Sequence, residues 1–331
     1  MWRQIFELIL QRKKFVLTTH TNPDCDALGS ELALAETLKK LGKQVDILNS
    51  DAVPPAYRFL DKQPRGYIRR FSPKKHRRLV EQAEAIIVLD ASGGWERVGA
   101  VGEVCRTSQA VKVCIDHHPD SVEFADIAIV DTSAAATAEL VYDLLKTLEA
   151  PITPFIAQAL YAAIITDTGN FRFPKTRPQT HQIAAHLIQA GASPSYIYRQ
   201  IYEQYPLGRV RLKGHLLNSI QLTANGQIAY YSLSRELMKT YGVNASDLDG
   251  FAALGQEVQG VRVTVFCVEN SRNRVKVSLR SDGSIAINGI AAALEGGGHP
   301  SAAGATVNGT LEEVLQDVVS RVKTLLEPPD G

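Results

Sequence analysis

The chain has 331 residues, 45% of them hydrophobic and 21% charged, with a formal net charge of +1. That length exceeds one ordinary domain, so two are expected, each with enough apolar material for a packed core. The balanced charge excludes a strongly basic protein that coats long nucleic acid, while a local positive pocket for a small polyanion stays open.

The start, MWRQIFELILQRKK, places Trp2, Ile5, Phe6 and Ile9 on one face of an amphipathic helix. It lacks a small-residue cleavage site before its charges, and no apolar run reaches the roughly eighteen residues of a membrane span. Neither a signal peptide nor a membrane anchor is expected, and the expected location is cytoplasmic. Cys25, Cys105, Cys114 and Cys267 are scattered with no C-x-x-C pair. That spacing predicts buried free thiols rather than disulfides or a zinc knuckle.

Short apolar runs predict strands at Phe15–Thr19, Gln44–Leu48, Ala85–Leu89, Val111–Ile115 and Ile127–Val130. Helical periodicity lies between and after them, at Ala27–Leu41, Lys74–Gln82, Ala134–Leu148, Pro154–Ile165 and Arg177–Ala190. Such alternation predicts an α/β fold, a parallel sheet with helices on both faces. The second half differs in texture. A helix over Tyr202–Ser219 leads to strands at Gln227–Leu233, Val261–Val268 and Arg274–Leu279, with Asn225-Gly226 as a turn. A helix at Ile287–Leu294, a Gly-rich loop (GGGHPSAAGA) and a helix over Leu311–Leu326 complete a smaller α/β domain. The predicted division is 1–190 for the first domain, 191–214 for a linker and 215–331 for the second, with a frayed EPPDG tail.

Chemistry gathers where the first-half strands end. FVLTT runs into His20 and then Asn22-Pro23-Asp24-Cys25-Asp26; AIIVL runs into Asp90; VKVCI runs into Asp116-His117-His118; a helix delivers Asp167. Ligands of open parallel sheets bind beyond the carboxyl ends of the strands, so these residues converge on one edge. Several carboxylates brought together call for cations. Imidazole with carboxylate and no thiolate cluster suits manganese, magnesium or zinc. Two such ions are a common device for activating water against phosphorus. A lone Asp after a strand is usually a cap or turn former, which is the reading for Asp131 before Thr-Ser-Ala. A lone histidine is usually a satisfied polar residue; the recurrence after three strands is what outweighs that reading here.

HTNPDCDALGS, VLDAS, IDHHP and TDTGNF resemble the four motifs of the DHH phosphoesterase superfamily. SLRSDG…INGIAAALEGGGHPSAAGA is similar to the DHH-associated substrate domain. The motifs run from residue 20 to 305 in the family's order. The two-domain length resembles the nano-RNase and pAp-phosphatase branch, where pAp is 3′-phosphoadenosine 5′-phosphate. Position by position, the resemblance implies one divalent cation, most simply Mn²⁺ or else Mg²⁺, on His20, Asp24 and Asp90. A second falls to Asp26, Asp90, His117 and Asp167, with Asp90 bridging. Asp116 is implied to orient a neighbouring histidine. His118 is implied to face the substrate phosphate as hydrogen-bond donor or acid, with water activated by the ions as the nucleophile.

In the second domain, Gly296, Gly297, Gly298 and His299 follow a helix and could surround an anion with N–H groups. Taken alone, that run is as readily a helix C-cap and turn. Arg280 could pair with phosphate or stack on a base. The resemblance favours substrate binding by these residues, with one departure: Glu295 stands where the family commonly has a first glycine. A carboxylate there is expected to point to solvent. Arg65, Arg69, Arg70, Lys74, Lys75, Arg77 and Arg78 could guide RNA, but a solvated face is the usual meaning of such a run. Arg97 could reach a substrate phosphate, and a surface role fits it almost as well.

The resemblance implies cleavage of very short single-stranded RNA to mononucleotides, and removal of a phosphate from pAp, across a cleft between the domains. A homodimer is compatible with the sequence, and a membrane partner is not expected. A manganese-dependent inorganic pyrophosphatase could share the metal set, but its second domain should offer a lysine- and arginine-rich pocket instead of GGGH. A long-strand exonuclease of the RecJ type needs further domains, and membrane cyclic-dinucleotide phosphodiesterases need spanning helices. A non-catalytic nucleotide sensor on the same fold should have lost a ligand, and none of the six is missing.

Overall fold

The computed structural model describes residues 1–61, 66–119, 121–248 and 250–326. Residues 1–204 and 205–331 form two compact units.

The first unit is built on six parallel strands: β1 (Lys14–Thr18), β2 (Gln44–Asn49), β3 (Ile68–Arg70), β4 (Ala85–Leu89), β5 (Val111–Asp116) and β6 (Ile127–Val130). Their spatial order is β3-β2-β1-β4-β5-β6. Successive side chains of a strand face opposite ways, and here both faces are apolar. Phe15, Leu17, Ala85, Ile87, Val113 and Ile115 enter the larger core, while Val16, Ile86 and Val88 enter a smaller one on the reverse face. Helices Arg3–Gln11, Cys25–Lys40, Thr137–Thr147, Pro154–Asp167, Pro178–Gln189 and Pro194–Tyr202 bury residues in the larger core. Helices Pro73–Glu81, Trp95–Val98 and Ala100–Thr107 cover the other side. The sheet grows outward in both directions from the β1–β4 pair. The crevice at its carboxyl edge therefore opens where β1 and β4 end.

The expected α/β architecture is present, with local differences. The first helix buries Trp2, Ile5, Leu8 and Ile9, while Phe6 is only half-buried. Trp2 also donates its indole N–H to Asp143 at 2.7 Å. The expected helix over Tyr202–Ser219 is two helices, Pro194–Tyr202 and Leu207–Ser219. Pro206 stands at the cap of the second with extended backbone, which breaks the run. The stretch 191–214 thus holds one whole helix and the start of another. Edge strand β3 falls inside the basic run, and Arg65 and the EPPDG tail lie outside the described residues. In that run Arg69 pairs with Asp46, and Arg77 with Glu81 at 2.8 Å.

The second unit carries a mixed sheet of β7 (Gln221–Thr223), β8 (Ile228–Leu233), β9 (Val263–Ser271), β10 (Arg274–Ser281), β11 (Gly297–His299) and β12 (Ala302–Asn308). The order is β11-β12-β10-β9-β8-β7, antiparallel except for β8 beside β9. Helix Leu311–Leu326 packs Val314, Val318, Val319 and Val322 against Val263, Val265, Val275 and Val277 on one face. Leu212, Leu216, Tyr231, Phe251 and Phe266 form a core on the other. The Gly-rich segment expected as a loop is a hairpin of β11 and β12. All four cysteines are buried and free. Among the described residues no helix is long and apolar enough to cross a membrane.

Candidate metal centre

Each strand of the crevice hands over a polar residue as its apolar run ends. His20 follows β1 and is 8% exposed. Its Nδ1 lies 2.8 Å from the Thr21 carbonyl, a hydrogen bond that turns Nε2 toward the crevice. Asp24 caps helix Cys25–Lys40, accepting from the Ala27 N–H at 3.0 Å through one oxygen. Its other oxygen lies 3.9 Å from His20 Nε2. Asp26, in the first turn of the same helix, is 1% exposed and accepts from the N–H groups of Thr137 at 2.7 Å and Ala138 at 3.0 Å. Those donors are the free N–H groups at the start of helix Thr137–Thr147, which favour a carboxylate there.

Asp90 directly follows β4 with a left-handed backbone, φ +60°. One of its carboxylate oxygens lies 3.6 Å from His20 Nε2, the other 3.7 Å from His117 Nε2 and 2.8 Å from the donating Thr137 hydroxyl. It therefore touches two groups at once: His20 with Asp24, and His117 with Asp26 and Asp167. His117 Nε2 lies 3.9 Å from Asp26 and 3.3 Å from Asp167. Within the trio His20, Asp24 and Asp90, and within the trio Asp26, His117 and Asp167, the ligand atoms lie within 4.8 Å of one another.

The electrostatics show what these groups lack. Burial, then the charges of Asp90 and Asp167, push the Asp26 carboxyl well above the carboxylate range. Burial with Asp90 and Asp24 pushes Asp167 up to about 7, and burial with Asp90 raises Asp24. Burial alone would lower His20, but its contact with Asp90 and the charges of Asp24 and Asp90 outweigh it and raise the imidazole to about 9. Burial lowers His117, whose Nδ1 faces the Ala134 carbonyl at 3.2 Å and whose Nε2 is buried with no hydrogen-bond partner among the described residues. An orphaned imidazole nitrogen among crowded carboxylates fits a divalent cation, whose charge answers both deficits.

Asp116 and His118 are arranged differently. Asp116 is fully buried and accepts from the backbone N–H groups of Ser92 at 2.5 Å and His117 at 2.6 Å, and from His118 Nδ1 at 2.8 Å. Burial opposes its charge, but the His118 and Ser92 contacts prevail and hold the carboxyl far below the usual range. The same contact with Asp116 raises His118, which keeps an exposed edge. With Nδ1 committed to Asp116, Nε2 is the outward nitrogen.

The structure thus brings together His20, Asp24, Asp26, Asp90, Asp116, His117, His118 and Asp167. Asp131 instead makes a turn, accepting from the Ser133 N–H at 2.9 Å and hydroxyl at 2.6 Å; the helix that follows starts only at Thr137. Arg97 exposes its side chain on Trp95–Val98, while its carbonyl accepts from the Thr21 N–H at 2.7 Å beside His20. Thr137 was not singled out in the sequence, although it supports both Asp26 and Asp90. Its only signal there is a threonine closing a run of small residues before a helix.

In the second unit, Ala302 pairs with Arg280 on one side and His299 on the other. Residues directly opposite in a sheet share a face, so Arg280 and His299 flank a methyl group, about 10 Å apart along the hydrogen-bonding direction. Arg280 also donates to the Leu279 carbonyl at 2.8 Å. Gly296 and Gly298 are required by the hairpin itself. A Cβ on Gly296 would strike Gly304, and one on Gly298, at φ +135°, would come 2.5 Å from the Ala302 carbonyl oxygen. Among the described residues a Cβ on Gly297 would meet nothing within 4 Å, unlike one on Gly296 or Gly298. Glu295 is exposed and sits at φ +58° just past helix Asn288–Ala293, a helix-ending position that favours glycine.

Comparison with known proteins agrees with this geometry. Residues 14–164 match the DHH family N-terminal domain, and residues 225–327 match the DHHA1 domain. The bifunctional oligoribonuclease and PAP phosphatase NrnA of Bacillus subtilis is 31% identical, over 88% of this chain and 88% of its own. The protein of the same name from Thermus thermophilus is 33% identical, over 93% and 88%. The crystal structure of an exopolyphosphatase-related protein from Bacteroides fragilis superposes with a TM-score of 0.92 at 27% identity, covering 98% of this chain and 97% of that one. The motif order, the clustered aspartates and histidines and these relatives make the chain a member of the DHH family of phosphoesterases, with a DHHA1 domain after the DHH domain.

Proposed function

We propose that this phosphoesterase hydrolyses short oligoribonucleotides to mononucleotides and removes the 3′-phosphate of pAp, with two divalent cations, Mn²⁺ foremost, in the crevice of the first unit. The observation that carries the reading is Asp90, one buried carboxylate in contact with two separate histidine-and-aspartate groups. The relatives named as oligoribonuclease and PAP phosphatase supply the substrate class.

In this reading His20, Asp24 and Asp90 hold one ion, and Asp26, Asp90, His117 and Asp167 the other. Bound there, the ions lower the pKa of water and offset the charge of the phosphate. The rest is done by the chain. Thr137 and Ala138 fix the orientation of Asp26, and the Thr137 hydroxyl fixes that of Asp90. The contact with Asp116 raises the His118 imidazole and so favours its protonated form, in which Nε2–H can donate to a phosphate oxygen and then to the departing oxygen. Arg280, His299 and the N–H groups around Gly297 hold the nucleotide, and Arg97 reaches an outer phosphate. Hydrolysis adds water across one P–O bond, releasing an alcohol and a phosphate.

The test is parallel turnover of a ribodinucleotide, pAp and inorganic pyrophosphate by the purified protein with Mn²⁺, alongside end-labelled RNA of graded length. The expected result is turnover of the dinucleotide and pAp, little of pyrophosphate, and kcat/KM falling beyond about five nucleotides as added residues gain only salt-screened contacts. Efficiency that rises out to twenty-mers, or preference for pyrophosphate, refutes the assignment.

A further inference from the structure

Lys175 lies in the segment 168–177 that leads away from Asp167. Its ammonium Nζ donates to the carbonyl oxygen of His117 at 3.4 Å, and the side chain is otherwise exposed. The segment is anchored two residues further on. Arg177 Nη1 donates to the Ser133 hydroxyl at 2.9 Å, Nη2 to Glu139 at 3.3 Å, and the Arg177 N–H to the Thr180 hydroxyl at 3.1 Å. Lys175 is thus presented from a fixed base at the margin of the centre, next to a histidine whose ring faces Asp26, Asp90 and Asp167. Among the described residues it forms no salt bridge within 4.0 Å, although its charge acts on Asp167 and partly offsets the rise of that carboxyl. A neutral carbonyl is a weak partner for an ammonium, and the flexible stem lets that charge swing to a better one.

We propose that Lys175 is a specificity-determining residue that contacts a non-bridging oxygen of the phosphate at this centre and favours terminal monoesters over internal diesters. The proposal rests on the reading under Proposed function that both phosphate types are processed here. Its basis is charge. The carboxylates face the imidazoles, so an incoming phosphate finds few cations on the chain itself, His118 and Lys175 among them. A terminal phosphate carries about −1.5 to −2 at neutral pH, and an internal diester carries one negative charge. A point charge beside the phosphorus therefore acts more strongly on the monoester.

The experiment compares Lys175→Met, which keeps the stem without the charge, and Lys175→Arg, which keeps the charge. Turnover of pAp and of ApA, whose single phosphate is a diester, is measured at fixed Mn²⁺ with bound metal counted. Binding of pAp and ApA to the Mn²⁺-loaded proteins is measured in parallel by calorimetry at a temperature where turnover is slow. For Lys175→Met, a loss of about ten- to a hundredfold on pAp and no more than about threefold on ApA is expected, the size of one charge-assisted contact. Metal content should be unchanged, and Lys175→Arg should recover most of the loss. Equal losses on both compounds, no loss on pAp, or loss of metal overturns the proposal. If the wild-type protein turns over neither compound, the functional reading fails; Lys175 is then judged by binding alone, where weaker pAp with unchanged ApA sustains it and anything else ends it.

Discussion

Replacing Glu31 with glutamine should remove a pH dependence from the stability of the first unit. Glu31 lies on helix Cys25–Lys40 with no solvent exposure. One of its oxygens accepts from the Asn49 amide at 2.7 Å, while its other oxygen and the Asn49 amide oxygen are buried without partners among the described residues. Burial lifts the carboxyl from an ordinary 4.5 to about 8. Between those values the folded state keeps a proton that the unfolded chain has released. Stability therefore falls as pH rises through the window and is level outside it. One pKa unit corresponds to about 1.4 kcal/mol, so between pH 5 and 7.5 the wild type should lose about 3 kcal/mol that the glutamine variant keeps. Glutamine retains an acceptor for Asn49 and adds a donor for its orphaned oxygen, so Glu31→Gln should be near neutral at pH 5. At pH 7.5 it should melt roughly 6–12 °C higher. Both tryptophans, Trp2 and Trp95, lie within residues 1–204. Urea unfolding followed by tryptophan fluorescence in EDTA therefore reads this unit alone. Equal stability differences at pH 5 and 7.5 would falsify the reasoning.

Asp90→Ala should fold yet lose both ions and about a thousandfold or more of activity, as expected when metal-activated water is lost; atomic emission and turnover at limiting Mn²⁺ check it, and near-normal activity rejects the bridging role. Thr137→Val removes one hydroxyl donor to Asp90 and should weaken metal binding about ten- to a hundredfold, read by Mn²⁺ titration. His299→Ala should raise KM about ten- to a hundredfold with metal content intact; loss of metal would make that histidine a ligand. Glu295→Gly relieves a left-handed residue and should stabilise the second unit by about 1 kcal/mol, seen as slower hydrogen exchange in β12.

Much of the first unit was legible because its signals are local. Continuous apolar runs such as AIIVL mark buried parallel strands, and the polar residue ending each run falls on the ligand edge by topology alone. What escaped depends on tertiary contacts. Ile68–Arg70 is three residues inside a basic run, and it becomes a strand only because Ile47 and Asn49 offer an open edge. The roles of Thr137 and the Ala134 carbonyl arise where a helix start meets Asp26 and Asp90, 111 and 47 positions away, or a strand end meets a turn. The Gly-rich hairpin defeats strand propensity outright. Gly298 pairs with Ala303 of β12, and a side chain there or on Gly296, just before β11, would run into the β12 backbone, whereas composition alone suggests a loop.

The row formed by Arg280, Ala302 and His299 is set by backbone pairing and by the two-residue turn Pro300–Ser301. That turn is itself tied down where Ile287 and Ser281 donate to its carbonyls at 2.8 and 2.9 Å. Substitutions in the underlying core leave such a register alone. A single inserted or deleted residue does not, because a slip of one sends His299 to the opposite face from Arg280. Point mutations should thus erode this part of the molecule gradually, while length changes in the turn switch it off at once. The hairpin's length is more tightly constrained than its composition.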